Sequence, residues 1–203
     1  MTTGAPTLLI ATTNPGKLRE ITDILAGLPI SLRTLDDCTG IPEPEETGST
    51  FAENARLKAR YYSAATGLVS VADDSGLEIR ALDNAPGVHS ARWHGSDYAV
   101  KFARIQELLH ERGVQTSAAR FVCHVAVARQ DEITFEAEGT VEGTIVAQPR
   151  GDNGFGYDPI FFYPPLGKTL AELPSHQKSA VSHRGKAFAT LRQRLITGPP
   201  LLG

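Results

Sequence analysis

The feature that most constrains this chain is the run Leu68-Val69-Ser70-Val71-Ala72, which leads straight into Asp73-Asp74-Ser75-Gly76-Leu77. A short apolar run bounded by turn signals reads as a buried strand, and Ser75-Gly76 reads as the place where the chain turns. In open α/β sheets, ligands bind beyond the carboxyl ends of strands, where Asp73 and Asp74 stand on this reading. Successive strand side chains point to opposite faces. If the strand continues through the pair, one carboxylate faces a ligand and the other supports it. Asp and Ser supply hard oxygen donors of the kind Mg²⁺ prefers, and an Asp-rich turn is the equally open alternative.

Upstream, Thr7 to Ala11 is a short apolar strand, followed by Thr12-Thr13-Asn14-Pro15-Gly16-Lys17. Leu18, Ile21, Leu25 and Leu28 then recur at helical spacing. Asn14 suits the N-cap and Pro15 the first helical position. A helix start carrying Gly16 and Lys17 is receptive to an anion, through free backbone N–H groups and a mobile charge. Ile30 to Leu35 reads as a strand, and residues 37–49 as a loop containing Glu43, Glu45 and Glu46. Thr50-Phe51-Ala52-Glu53 is a capping box that opens a helix ending at Gly67. Asn54 and Lys58, four apart, share one face of it, which gives Glu46, Asn54, Lys58 and Asp74 a route to converge.

Downstream, Leu77, Ile79 and Ala81 alternate as a half-buried strand. Asp97 caps a helix with Val100, Ile105, Leu108 and Leu109 inward, ending at Gly113. Residues 119–127 alternate as a long strand, and a second from Ile133 to about Val146 pairs with it through a turn near Gln130-Asp131, so the sheet is mixed. Asn153-Gly154-Phe155-Gly156-Tyr157-Asp158-Pro159 places two aromatics between glycines. Phe155 and Tyr157 are read as rings that stack on a base, and Asp158 as an acceptor for ring N–H or amino groups. A last helix runs from about Ser182 to Ile196, with Lys178, Ser182, His183 and Arg184 before or at its start. Arg184 brings a planar fork suited to a carbonyl or phosphate.

The chain's 203 residues suit one sizeable domain, and 41% apolar with 21% charged residues is ordinary for a globular protein. A net charge of −3 gives no basic surface for nucleic acid or an anionic membrane. Cys38 and Cys123 read as free thiols of a reducing cytoplasm. Met1 to Pro6 carry no signal-peptide pattern, and no apolar run nears the roughly 20 residues that span a bilayer. Residues 198–203 read as a frayed tail. Together the segments offer cations for phosphates, carboxylates for a metal and aromatics for a base.

Thr12 to Lys17, Glu45 to Gly48, Phe51 to Ala55, Ala72 to Leu77, Gly154 to Phe161 and Ser182 to Arg184 together resemble the inosine/xanthosine triphosphate pyrophosphatase (Ham1-like) family, in that family's order. The resemblance runs from about Leu8 to Leu195. It implies a single domain over residues 1–203, with a long mixed β-sheet flanked by helices in two lobes around a central nucleotide-binding cleft. It also implies a cytoplasmic homodimer and Mg²⁺-dependent hydrolysis of non-canonical purine triphosphates (ITP, dITP, XTP) to monophosphate and pyrophosphate.

Carried over by position, Thr12, Thr13, Asn14, Pro15, Gly16, Lys17 and Lys58 would hold the phosphates. Asp74 would be the general base and a metal contact with Glu46, and Asp73 would support them. Ser75 would touch substrate. Phe155, Gly156, Tyr157, Asp158, Lys178, His183 and Arg184 would hold the base and ribose, Arg184 or a backbone N–H donating to the 6-keto oxygen. His176-Gln177 departs from the acidic residues the family tends to place before the lysine. The competing reading is a non-catalytic purine-nucleotide sensor, which needs the same cations and aromatics but no poised base.

Overall fold

The computed structural model describes residues 5–38, 40–198 and 201–202. Its strands are β1 (Thr7–Ile10), β2 (Ser31–Thr34), β3 (Val69–Ile79), β4 (Ala118–Arg129), β5 (Glu132–Ile145), β6 (Phe161–Tyr163) and β7 (Lys168–Thr169). Its helices are α1 (Pro15–Leu25), α2 (Phe51–Thr66), α3 (Tyr98–Glu111), α4 (Ser175–Val181) and α5 (His183–Thr197). Among the described residues the strands form one seven-stranded sheet in the order β2-β1-β3-β4-β5-β6-β7. β1 runs parallel to β2 and β3, whereas β6 is antiparallel to β5 and β7, so the sheet is mixed as expected.

The local signals act where the sequence puts them. Asn14 Oδ1 accepts from the N–H groups of Gly16 and Lys17 and starts α1. Thr50 and Glu53 close a reciprocal capping box on α2, and Gly67, at φ 71°, ends it in the left-handed region that glycine enters without strain. Asp97 caps α3 through the Ala99 N–H.

The chain divides into two compact units, one built from residues up to Asp74, Cys123–Gly139 and from Arg184 onward, the other from Ser75–Val122 and Thr140–His183. In the first unit, Ile21 and Leu25 of α1 and Phe188 and Leu191 of α5 pack with Leu8, Ile10, Val71, Cys123 and Val125 of the strands. Each such fully buried side chain contributes about 1.5–3 kcal/mol. The opposite strand face, with Leu9, Ala72, Ala126 and Ala128, carries Ala55, Ala59 and Tyr62 of α2. The small alanines let that helix lie close to the sheet. Leu201 is buried in the α1/α5 cluster, and its carbonyl accepts from Arg129 at 2.8 Å. Pro199, Pro200 and Gly203 of the tail lie outside the described residues, as do Met1 to Gly4. In the second unit, Leu77, Ile79, Ile105, Leu109, Phe121, Ile160 and Phe161 form one core.

Three expectations need correction. Ser75-Gly76 is not a turn, because β3 continues through it to Ile79. Ser-Gly favours turns only when nothing else holds the backbone, and here the β ladder does. Asp73 and Asp74 therefore stand in mid-strand. Parallel neighbour β1, whose Ile10 pairs with Val71, has already ended beside them. On α3, Val100 is 52% exposed while Lys101 is 0% exposed. The face is set by Ile105 and Leu109, and Lys101 lies four residues before Ile105 on that same side. α1 ends at Leu25, so Leu28 lies beyond it, and α4 precedes the predicted last helix.

Candidate active site

In the first unit, alternation along β3 sends the two adjacent carboxylates to opposite faces. Asp74 turns to α2. Lys58 Nζ donates to Asp74 Oδ1 at 3.3 Å and to Glu46 Oε1 at 2.5 Å, and Asn54 Nδ2 donates to Asp74 Oδ2 at 3.1 Å. The predicted convergence of Glu46, Asn54, Lys58 and Asp74 is present. Burial pushes the Lys58 ammonium down, but Asp74, Asp73 and Glu46 outweigh it and hold the group above its ordinary value. Lys58 therefore stays charged at neutral pH.

Asp73 turns to α1 and α5. Its Oδ2 lies 3.1 Å from Lys17 Nζ and accepts from Arg184 Nε at 3.3 Å and Nη2 at 3.2 Å, with Cys123 Sγ at 3.6 Å. Burial pushes the Asp73 carboxyl up, but Lys17, Arg184 and Lys58 overcome it and hold the group well below the usual carboxylate range. Burial and the Asp73 charge push the Cys123 thiol well up, so it is a protonated core group and not a nucleophile.

Arg184 is placed differently from what its planar fork suggested. It is 2% exposed, and besides Asp73 it donates through Nη1 to Glu20 Oε2 at 2.7 Å. A guanidinium held by two carboxylates fixes Asp73 and thereby Lys17. Glu20 escaped the sequence reading. Its one signal is that it follows Lys17 by three residues, on the same side of α1.

The start of α1 also offers less to an anion than a bare helix end. Pro15 has no N–H, and the Gly16 and Lys17 N–H groups are held by Asn14. Thr12 Oγ1 accepts from the Asn14 N–H, and Thr13 Oγ1 donates to Glu43 Oε1 at 3.2 Å. The cationic side chains beside this end of β3 are Lys17 and Lys58.

In the second unit, Asp158 Oδ2 accepts from Lys178 Nζ at 2.5 Å and from the Phe155 N–H at 2.8 Å. Lys178 Nζ lies 4.7 Å from the centre of the half-buried Phe155 ring. Gly154 has φ 72°, and a Cβ there would collide with the Asp158 carboxylate, so this glycine is explained by the loop's own packing. Tyr157 is 3% exposed, and its hydroxyl donates to the Ser90 carbonyl at 2.9 Å. Its ring meets Tyr98 edge-on at 5.2 Å, so Tyr157 plugs the core and does not offer a face to a base. His183 stacks on Phe121 at 4.7 Å, and Ser75 is half-buried in β3. Lys101, the buried cation that sequence reasoning missed, donates to the carbonyls of Ser90 and Ala91 at 3.2 and 2.7 Å. It thus caps the backbone that Tyr157 also holds. A groove of about 490 Å³ in this unit, bordered by Glu78, Arg80, Arg120 and Glu142, contains none of the predicted residues.

The model of the Ham1 family matches residues 8–194. The chain belongs to the Ham1 family. A protein of Exiguobacterium called dITP/XTP pyrophosphatase is 47% identical over 192 residues, covering 93% of this chain and 96% of the relative. One of the same name from Thermus thermophilus is 46% identical over 195 residues, covering 95% and 93%. Among solved structures, a HAM1 protein from Coxiella burnetii superposes with a TM-score of 0.87 at 40% identity, over 94% of this chain and 98% of that one. The Staphylococcus aureus Ham1 protein gives 0.83 at 36% identity, again over 94% and 98%. Among the described residues, no helix is long and apolar enough to cross a membrane.

Proposed function

We propose that this protein hydrolyses non-canonical purine nucleoside triphosphates (ITP, dITP and XTP) to monophosphate and pyrophosphate, by attack of water on the α-phosphorus. The observation that carries the reading is Lys58 Nζ held between Glu46 and Asp74, in a chain whose relatives are called dITP/XTP pyrophosphatases.

Two carboxylates that already share one ammonium are a fitting pair for a divalent cation. Mg²⁺ usually takes one or two carboxylates and completes its shell with water and substrate phosphates, a demand that this pair can meet. Glu46 and Asp74 would hold it, and when bound it neutralises phosphate charge as it builds.

Phosphoryl transfer asks for positioning and charge neutralisation more than for covalent help. Asp74 orients the attacking water and accepts its proton. Lys58 and Lys17 bind phosphate oxygens, aided by the Thr12 hydroxyl and, once it turns from Glu43, the Thr13 hydroxyl, and steady the charge on departing pyrophosphate. Asp73, pinned by Arg184, fixes Lys17. Base recognition falls to the second unit, where Phe155 offers a face, Asp158 an acceptor, and Lys178 and His183 donors. A donor aimed at a 6-keto oxygen would meet an amino group in adenine. A mispaired buried donor costs about 1–3 kcal/mol, or roughly tenfold to a few hundredfold. The setting we assign is a homodimer in the cytoplasm.

A product assay across ITP, dITP, XTP and ATP, with and without Mg²⁺, tests this. Pyrophosphate is expected from the first three only, and only with Mg²⁺. Tight ITP binding without turnover would point to the sensor reading, and orthophosphate to a phosphatase. Comparable rates on ATP and ITP would refute the account of selectivity.

A further inference from the structure

Asn54 is 2% exposed and works from both ends of its side chain. The Gly48 N–H donates to Asn54 Oδ1 at 2.8 Å, and Asn54 Nδ2 donates to Asp74 Oδ2 at 3.1 Å. A backbone N–H can only donate, so Gly48 fixes which end of the amide is the carbonyl. The amino end is then committed to Asp74. Glu46 stands two residues before Gly48, and its Oε1 meets Lys58 Nζ, which also donates to Asp74 Oδ1. Glu46, Lys58, Asp74, Asn54 and Gly48 thus form a closed ring, completed by the short backbone from Glu46 to Gly48.

The loop's approach is close. A Cβ on Gly48 would lie 2.6 Å from Asn54 Oδ1 and 2.7 Å from Glu53 Cβ. Glu53 fixes the next residues, accepting from the Ser49 N–H and hydroxyl at 2.7 and 2.8 Å. The first turn of α2 therefore carries the loop with Glu46 on one side and touches Asp74 on the other.

We infer that Asn54 is a positioning residue for the reaction: it sets the orientation of the Asp74 carboxylate and its separation from Glu46. This rests on the reading of Asp74 as the general base. Asn is suited to the task because it presents an acceptor and a donor at opposite ends of a short, planar group. Asp would keep the acceptor for Gly48 but turn a charged acceptor on Asp74.

Asn54→Asp is the direct test, compared with parent and with Asp74→Asn in ITP turnover. The expected result is a fall in kcat of about 10- to 100-fold with KM within about threefold. The Gly48 amide, read by hydrogen exchange in the protein without nucleotide, should stay as protected as in the parent. Asn54→Ala should lose that protection. Gly48→Ala reaches the same ring from the loop side and decides the matter if Asn54→Asp does not fold. It should lower kcat similarly, and the double variant should fall short of the product of the two effects.

Parent-like kcat in Asn54→Asp or, if that variant does not fold, in Gly48→Ala, beside an inactive Asp74→Asn, overturns the inference and leaves the base assignment standing. So does a kcat loss in Asn54→Asp that comes with an unprotected Gly48, since the loop has then left the helix. Parent-like kcat in Asp74→Asn removes the base assignment and this inference with it.

Discussion

Replacing Lys58 by Met keeps the stem and removes the charge that Glu46 and Asp74 share. In the parent, the ammonium lies 2.5 Å from Glu46 and 3.3 Å from Asp74, with side-chain exposures of 9% for Lys58, 15% for Glu46 and 8% for Asp74. Removing one member of a buried ion pair costs about 3–5 kcal/mol, because the remaining charge is buried without compensation. Glu46 keeps some contact with water, so about 3 kcal/mol is the expected loss. For a chain of this size that lowers Tm by about 6–12 °C. The sign with pH follows from the raised Lys58 pKa. A raised ammonium contributes its full stability below the ordinary lysine value and loses it as pH climbs through the higher folded value. The deficit should therefore be flat between about pH 6 and 9. Mg²⁺, binding the carboxylates, should stabilise the variant more than the parent. Thermal and urea unfolding with and without Mg²⁺ read all three effects. A Tm within about 2 °C of the parent would refute the buried-pair reasoning and place these charges in solvent.

Asp73→Asn should cost about 3–5 kcal/mol at neutral pH by taking from Lys17 its carboxylate and leaving Arg184 with one carboxylate, Glu20, in place of two. Because the Asp73 carboxyl is held low, the parent's advantage is full above about pH 4 and should shrink as pH falls below it in acid unfolding. Tyr157→Phe removes a buried hydroxyl that donates to Ser90. Tm should fall, by about 1–3 kcal/mol in stability, with KM for ITP unchanged, whereas a raised KM would return Tyr157 to the nucleotide. Phe155→Ala should do the reverse, raising KM for ITP by about 5- to 150-fold through lost stacking, with Tm barely moved. Lys101→Met should lower stability, because the Ser90 and Ala91 carbonyls lose their donor, while kcat is kept.

What was legible in the sequence was local. Asn14, Thr50 with Glu53, Gly67 and Asp97 act within a few residues of themselves, so helix starts and stops followed from residue type and spacing. Lys58 and Asn54 were placed on one face by helical geometry alone. The strand carrying the carboxylates was found, but its length was not. Ser75-Gly76 has turn propensity, and only its place in the sheet beside β4, a strand far away in sequence, holds it extended. Arg184 shows the same limit more sharply. Its fork suited a carbonyl or a phosphate equally, and its partner Glu20 is 164 positions away. Tyr157 looked like a base platform because glycines flank it, yet Gly154 is needed to clear Asp158 and the Tyr157 ring is needed by the core. Lys101 was hidden because a charged residue on an inward face is read as solvated until its carbonyl partners are known.

The most direct measurement of what this chain does is the fate of solvent oxygen. ITP hydrolysed with Mg²⁺ in ¹⁸O-labelled water, with products resolved by mass spectrometry, should give one labelled oxygen in the monophosphate and none in pyrophosphate. Label in pyrophosphate, or orthophosphate as the released product, would contradict attack at the α-phosphorus and with it the role given to Asp74.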